Sequence, residues 1–141
     1  MNTPNARPDL NAFELGSLRN QFLIAMPGMS DPAFAHSVTY ICEHNADGAM
    51  GLVINHPSAL TLSDIFQQLS LNEDDPSAQS QVLAGGPVSP ERGFILHPNT
   101  GKQWQSTIEI GPETCLTASS DILKSLADGE GPEHYLVTLG Y

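Results

Sequence analysis

The chain has 141 residues, with five Lys or Arg against sixteen Asp or Glu and a formal charge of −11. That length suits one domain with a sizeable buried core. The charge argues against a grip on duplex DNA, which takes about 6–10 neutralised phosphates, because the five cations, Arg7, Arg19, Arg92, Lys102 and Lys124, are few and scattered.

Residues 1–12 are polar and carry Pro4 and Pro8, which predicts a loose arm without the basic start and apolar centre of a secretory signal. No apolar run approaches the roughly 20 residues that span a bilayer, and the acidic balance disfavours anionic lipid surfaces. A cytoplasmic setting is expected. Phe22–Met26 is apolar on both parities and reads as a fully buried strand ended by Pro27 and Gly28. Asp31–Phe34 fits a turn or a single helical turn. Ser37–Glu43 alternates as a strand, with Val38, Tyr40 and Cys42 on one face. Asn45–Gly48 is a hairpin corner that returns the chain along Ala49–Asn55.

Leu62, Ile65, Phe66 and Leu69 fall at helical spacing and predict a helix over Leu62–Leu71. Thr61 stands at its N-cap, Asp64 completes a capping-box-like pair, and Leu60 and Ile65 occupy staple positions. Asn72–Gln79 is an acidic, Pro-containing loop. Gln81–Ala84 is a short strand entering Gly85-Gly86-Pro87, and Gly93–His97 is the next strand. Gln103–Ile110 reads as a strand with Trp104, Ser106, Ile108 and Ile110 on one parity. Leu116–Ala118 feeds a second helix capped by Ser119 or Ser120, favoured by Asp121 and closed by Gly129. Tyr135–Leu139 is the last strand. The interleaving predicts an α+β sandwich with a largely antiparallel or mixed sheet and flanking helices.

Few constellations suggest chemistry. Cys42 and Cys115 are 73 positions apart and neither lies in a CxxC pair, so two buried thiols are expected. Strand alternation would put Cys42 and His44 on one face, a spacing open to a thiolate–imidazole pair or a shared metal ligand. A metal would need further ligands from His36, His56 or His97, and no metal or cofactor is expected. Gly85-Gly86-Pro87 could form an anion nest but lacks the Lys-Ser/Thr of a P-loop, so a tight turn with close backbone approach competes. Arg92 could pair with Glu91 or Glu43, or recognise a ligand.

Four blocks in order carry a family resemblance: the segment Phe22–Asn55; Gly85-Gly86-Pro87-Val88 with Arg92–His97; Ser119–Leu123; and Leu139-Gly140-Tyr141. Together they resemble the AlgH/YqgE family of small bacterial proteins and cover nearly all of the chain beyond the N-terminal arm. The resemblance implies a regulatory association without a defined reaction. Family members usually continue past the Leu-Gly-Tyr block, so the chain is expected to be a truncated form, with one side or edge of its last strand left bare and some self-association as a result.

The leading functional expectation is a non-enzymatic cytoplasmic protein that contacts a protein or small ligand in a shallow apolar cleft, as a monomer or weak self-associating species. Loop corners on a rigid scaffold are the usual place for such contacts, which nominates Cys42, His44, Gly51, Gly85, Gly86, Pro87 and Arg92. The alternatives are a thiol-based sensor or enzyme using Cys42 with His44 or His36, and thirdly a transcriptional regulator.

Overall fold

The structure, a computed structural model, describes residues 17–141; the expected N-terminal arm lies outside them. Nine strands and two α-helices are present among these residues. A three-stranded antiparallel sheet is built from β1 (Phe22–Ile24), β2 (Val38–Asn45) and β3 (Gly48–Val53), in that order. A six-stranded sheet holds β4 (Pro57–Thr61), β5 (Gln81–Ala84), β6 (Gly93–Pro98), β7 (Thr107–Gly111), β8 (Thr114–Thr117) and β9 (Leu136–Leu139), in the order β4-β5-β9-β6-β8-β7. Only the β5–β9 pairing is parallel, so the sheet is mixed and the fold is α+β, as expected.

Alternation along β6 fixes the layers. Ile95 points to one face, where it joins Val82 and Val137 beneath helices α1 (Leu62–Gln68) and α2 (Asp121–Ala127). Phe94 and Leu96 point the other way, where Leu116 joins them and Tyr40, Cys42 and Leu52 of the small sheet pack down on them. A strand's side chains alternate between faces, so one run of apolar residues serves both cores. The result is three layers: helices, large sheet, small sheet.

Helix α1 forms where the apolar spacing predicts it. The Asp64 carboxylate accepts the Thr61 backbone N–H at 2.9 Å, satisfying one of the donors a helix start leaves open. Leu62 and Phe66 are fully buried, each contributing roughly 1.5–3 kcal/mol by removal from water. Leu69 lies just past the helix and is 44% exposed. The second helix also forms, and Gly129, at φ +77°, ends it.

Several expectations are corrected. Phe22–Ile24 is not buried: it is the outer strand of the small sheet, and Phe22 and Ile24 are 57% and 75% exposed. Their register partners Tyr40 and Val38 place them on the inward face, but the large sheet does not reach beneath them. The strand at Pro57–Thr61 is not anticipated by the sequence reading. Within Asn72–Gln79, Pro76–Gln79 forms a 3-10 turn whose Ala78 is buried. Trp104 precedes β7 and packs on the helix side of the large sheet, whereas Ile110 faces the small sheet. Finally, β9 has no free edge: β5 pairs one side and β6 the other.

Candidate functional site

The β2–β3 hairpin turns through Ala46-Asp47, with the Asn45 side-chain oxygen accepting the Asp47 N–H at 2.8 Å. Its ladder runs Tyr40 opposite Leu52 and Ile41 opposite Gly51, then resumes with Glu43 opposite Met50 and His44 opposite Ala49. Cys42 is therefore the extra residue of a β-bulge, and a bulge shifts the alternation of everything after it. Cys42 points inward with Tyr40 and Leu52. His44 shares the outward parity of Ala49 and Gly51, and its Nδ1 accepts the Leu18 N–H at 2.8 Å. The expected shared face of Cys42 and His44 does not exist. His36 is no substitute, since it precedes β2 and Cys42 lies four residue steps beyond Val38, about 13 Å at the usual rise.

Gly85, Gly86, Pro87 and Arg92 do meet at one corner, seated on the base of the hairpin where the Val53 N–H donates to the Gly85 carbonyl at 2.9 Å. The two glycines serve close backbone packing. A Cβ on Gly85 would stand 2.4 Å from the Gly140 carbonyl oxygen, and one on Gly86 would stand 2.3 Å from the Tyr141 carbonyl carbon. Gly51 is similarly enclosed by the Thr39 and Ile41 side chains. Arg92 is exposed and lays its guanidinium over the Phe94 ring at 5.3 Å; among the described residues it makes no ion pair, and the salt bridge is Lys124–Asp128. Pro87 and Arg92 thus hold the surface, Cys42 lies in the core behind Phe94, and His44 sits at the far tip of the hairpin.

A larger feature opens between the two sheets. A groove of about 720 Å³ is walled by Phe22 and Tyr40 of the small sheet with Ile54 just past β3, and by Leu96, Thr114 and Leu136 on the large one. Leu136 is 41% exposed, and its register opposite Leu96 turns it toward the small sheet. The sequence reading misses this groove because periodicity reports how apolar a strand is, not whether a second layer extends over it.

A polar cluster on the helix side is missed as well. His97 Nε2 and the Thr117 hydroxyl lie 2.7 Å apart, and Thr117 is within 2.7 Å of the Thr107 hydroxyl, which accepts the Trp104 N–H at 2.8 Å. Cys115 stands across from His97 in the β6–β8 ladder. The available signal is His97 on the same parity as buried Ile95.

The AlgH-like family profile matches residues 22–141. The chain belongs to the AlgH-like family. It is 55% identical over 130 residues to a UPF0301 protein of Saccharophagus degradans, covering 92% of this chain and 64% of that one. It is 52% identical over 127 residues to a UPF0301 protein of Hahella chejuensis, covering 90% and 67%. The solution structure of the AlgH protein from Pseudomonas aeruginosa superposes with a TM-score of 0.74 at 48% identity, over 90% of this chain and 67% of that one. A Corynebacterium diphtheriae protein at 17% identity, TM-score 0.64, covering 97% and 72%, shares the fold. The chain therefore spans about two thirds of the length of these relatives.

The chemistry open to this AlgH-like chain follows from burial. Desolvation pushes the Cys42 thiol up to about 12, with the Arg19 charge opposing and Glu43 adding to the rise. Burial also raises Cys115, and it lowers His97, whose hydrogen bond to the Pro98 carbonyl works the other way. Both thiols are neutral at physiological pH, and a neutral thiol is a poor nucleophile and ligand. Among the described residues no three His, Cys, Asp or Glu side chains are placed to share a metal ion, and no helix is long and apolar enough to cross a membrane.

Proposed function

We propose that this AlgH-like chain is a cytosolic, regulatory binding module that acts through protein or small-ligand contact in an apolar cleft, rather than by catalysis or by direct contact with DNA. The observation that carries the reading is the pair Phe22 and Leu136, both substantially exposed on the facing sides of two sheets. Apolar groups left open between layers mark a contact surface. The edge strand supports it further. Gln21 accepts from the Ile41 N–H and the Ala25 N–H donates to the Ser37 carbonyl, so the odd residues face β2 and the main-chain groups of Phe22 and Ile24 point outward, free to pair with an extended segment.

The cations speak against nucleic acid. Arg19 donates to the Glu109 carbonyl, Lys102 to the Glu130 carbonyl and Lys124 to Asp128, so three of the four described cations are held at separate places. Hydrogen-exchange footprinting of a bound partner tests the proposal. Protection of Phe22–Met26 and of Leu136 is expected, whereas protection confined to the acidic loop at residues 72–75 overturns it. A gel shift with duplex DNA at low ionic strength is expected to show no complex, and a salt-dependent complex would favour the transcriptional reading.

A further inference from the structure

The helix-bearing face of the large sheet is not fully covered. Between α1 and α2 a groove of about 570 Å³ runs over the sheet. Its floor is Ile95, Val137 and Leu139, and its walls are Leu60 and Ile65 on one side and Leu123 on the other. Leu60 and Leu69 border it and remain exposed. The volume falls in the range of pockets that take small molecules, about 300–1,000 Å³. An apolar body entering it would remove these side chains from water.

Charge selects among such bodies. The charged residues lining the groove are Asp64 and Glu91; Arg92 follows Glu91 in the chain but lays its guanidinium over the Phe94 ring, which packs on the small-sheet face. Asp64 is held by the Thr61 N–H. Glu91 is exposed and forms no salt bridge among the described residues. With a body charge of −11 around it, an anion is repelled from this mouth, while an ammonium there gains a carboxylate partner. We propose that the inter-helix groove binds a small organic cation: an apolar body seated over Ile95 and Val137, with its ammonium at Glu91. This site is distinct from the inter-sheet surface and does not depend on it.

The test titrates three isosteric probes, 4-phenylbutylamine, 4-phenylbutanol and 4-phenylbutyrate, against the whole chain by backbone-amide NMR. The amine is expected to give saturable shifts at Gly93, Ile95, Leu123 and Leu139, to bind about three- to tenfold tighter than the alcohol, and to outbind the carboxylate by more. Glu91→Gln is expected to fold normally and to bring the amine down to the alcohol's affinity. Equal binding of all three probes overturns the proposal, as does an amine preference untouched by Glu91→Gln, shifts centred on Phe22 and Tyr40, or the absence of saturable shifts at millimolar probe. The shifts at Phe22 and Tyr40 would instead support the inter-sheet cleft, so the two sites are told apart in one experiment.

Discussion

Val53 donates its backbone N–H to the carbonyl of Gly85 at 2.9 Å, joining the small sheet to the large one at a corner with no room for a side chain. The Gly85 N–H in turn donates to the Leu139 carbonyl. Gly85→Ala would push a methyl carbon against the Gly140 carbonyl oxygen, and main chain cannot swing aside as a side chain can. Urea titration is expected to show a loss of about 1–3 kcal/mol or more. Gly28→Ala, where a Cβ meets nothing within 4 Å, is the control and should stay within about 0.5 kcal/mol. Equal effects would mean the corner is not packed as described.

The stripe of α1 supplies a second contrast. Phe66 has no exposed surface and packs with Leu62, Val82 and Ile122, so Phe66→Ala is expected to cost about 3–5 kcal/mol. Leu69 belongs to the same helical spacing but is largely open, and Leu69→Ala should cost less than about 1 kcal/mol. A small loss at Phe66 in denaturant titration would remove the helix from the core.

These two residues also show what is legible in the sequence. Leu62, Ile65 and Phe66 specify a helix and its buried face because a 3.6-residue period has one inward side. The period cannot say where that side ends, and Leu69 falls off the edge. The hairpin is legible because Asn45 and Gly48 impose a local turn. The bulge at Cys42 is not, since the extra residue comes from pairing with β3 and leaves no mark on the alternation of Val38, Tyr40 and Cys42. It is this bulge that separates Cys42 from His44. Gly85 and Gly86 are legible as a tight turn with close backbone approach, but the partner that occupies them, Gly140-Tyr141, lies over fifty residues away and is set by topology. β9 is placed centrally by β5 and β6, a long-range choice that its own four residues do not encode.

The thiols give a reactivity prediction. Cys42 is buried and raised to about 12, so alkylation of native protein at neutral pH should proceed only as fast as the chain opens, and both cysteines should react readily in urea. The pH consequence has a definite sign. In the unfolded chain a thiol ionises near pH 8.5, while folded Cys42 keeps its proton, so the folded state binds more protons above that point. Stability from this group is fully present below the unfolded value and is lost as pH rises toward about 12. Rapid modification of native Cys42 at pH 7 would revive the thiol-sensor reading.

His97 predicts the opposite arm of the pH profile. Burial holds its pKa below the ordinary histidine value, with Thr117 at Nε2 and the Pro98 carbonyl at Nδ1. The unfolded chain takes up a proton near pH 6.5 that the folded chain resists. Stability is therefore complete above that value and falls as pH drops through it. Following the imidazole C–H signals by NMR should place the His97 midpoint below 6.5. A midpoint above 6.5 would show that burial does not govern this ring.

The exposed strand β1 leads to the last prediction. Phe22 and Ile24 are inward by parity yet open to water, and their outward main-chain groups have no partner within the small sheet. An uncharged apolar edge of this kind lacks the devices that usually prevent strand-to-strand pairing. Two copies could pair antiparallel through it, and only the acidic balance of the whole chain opposes their approach. Sedimentation over increasing concentration should show weak, reversible association that strengthens with salt, because salt screens the −11 charge. The double variant Phe22→Glu with Ile24→Glu adds charge at positions that bury little, so it should fold with a loss below about 1 kcal/mol and remain monomeric. If the variant associates as the parent does, the contact lies elsewhere. If it unfolds, β1 contributes more to the core than its exposure allows, and the inter-sheet groove is closed in solution.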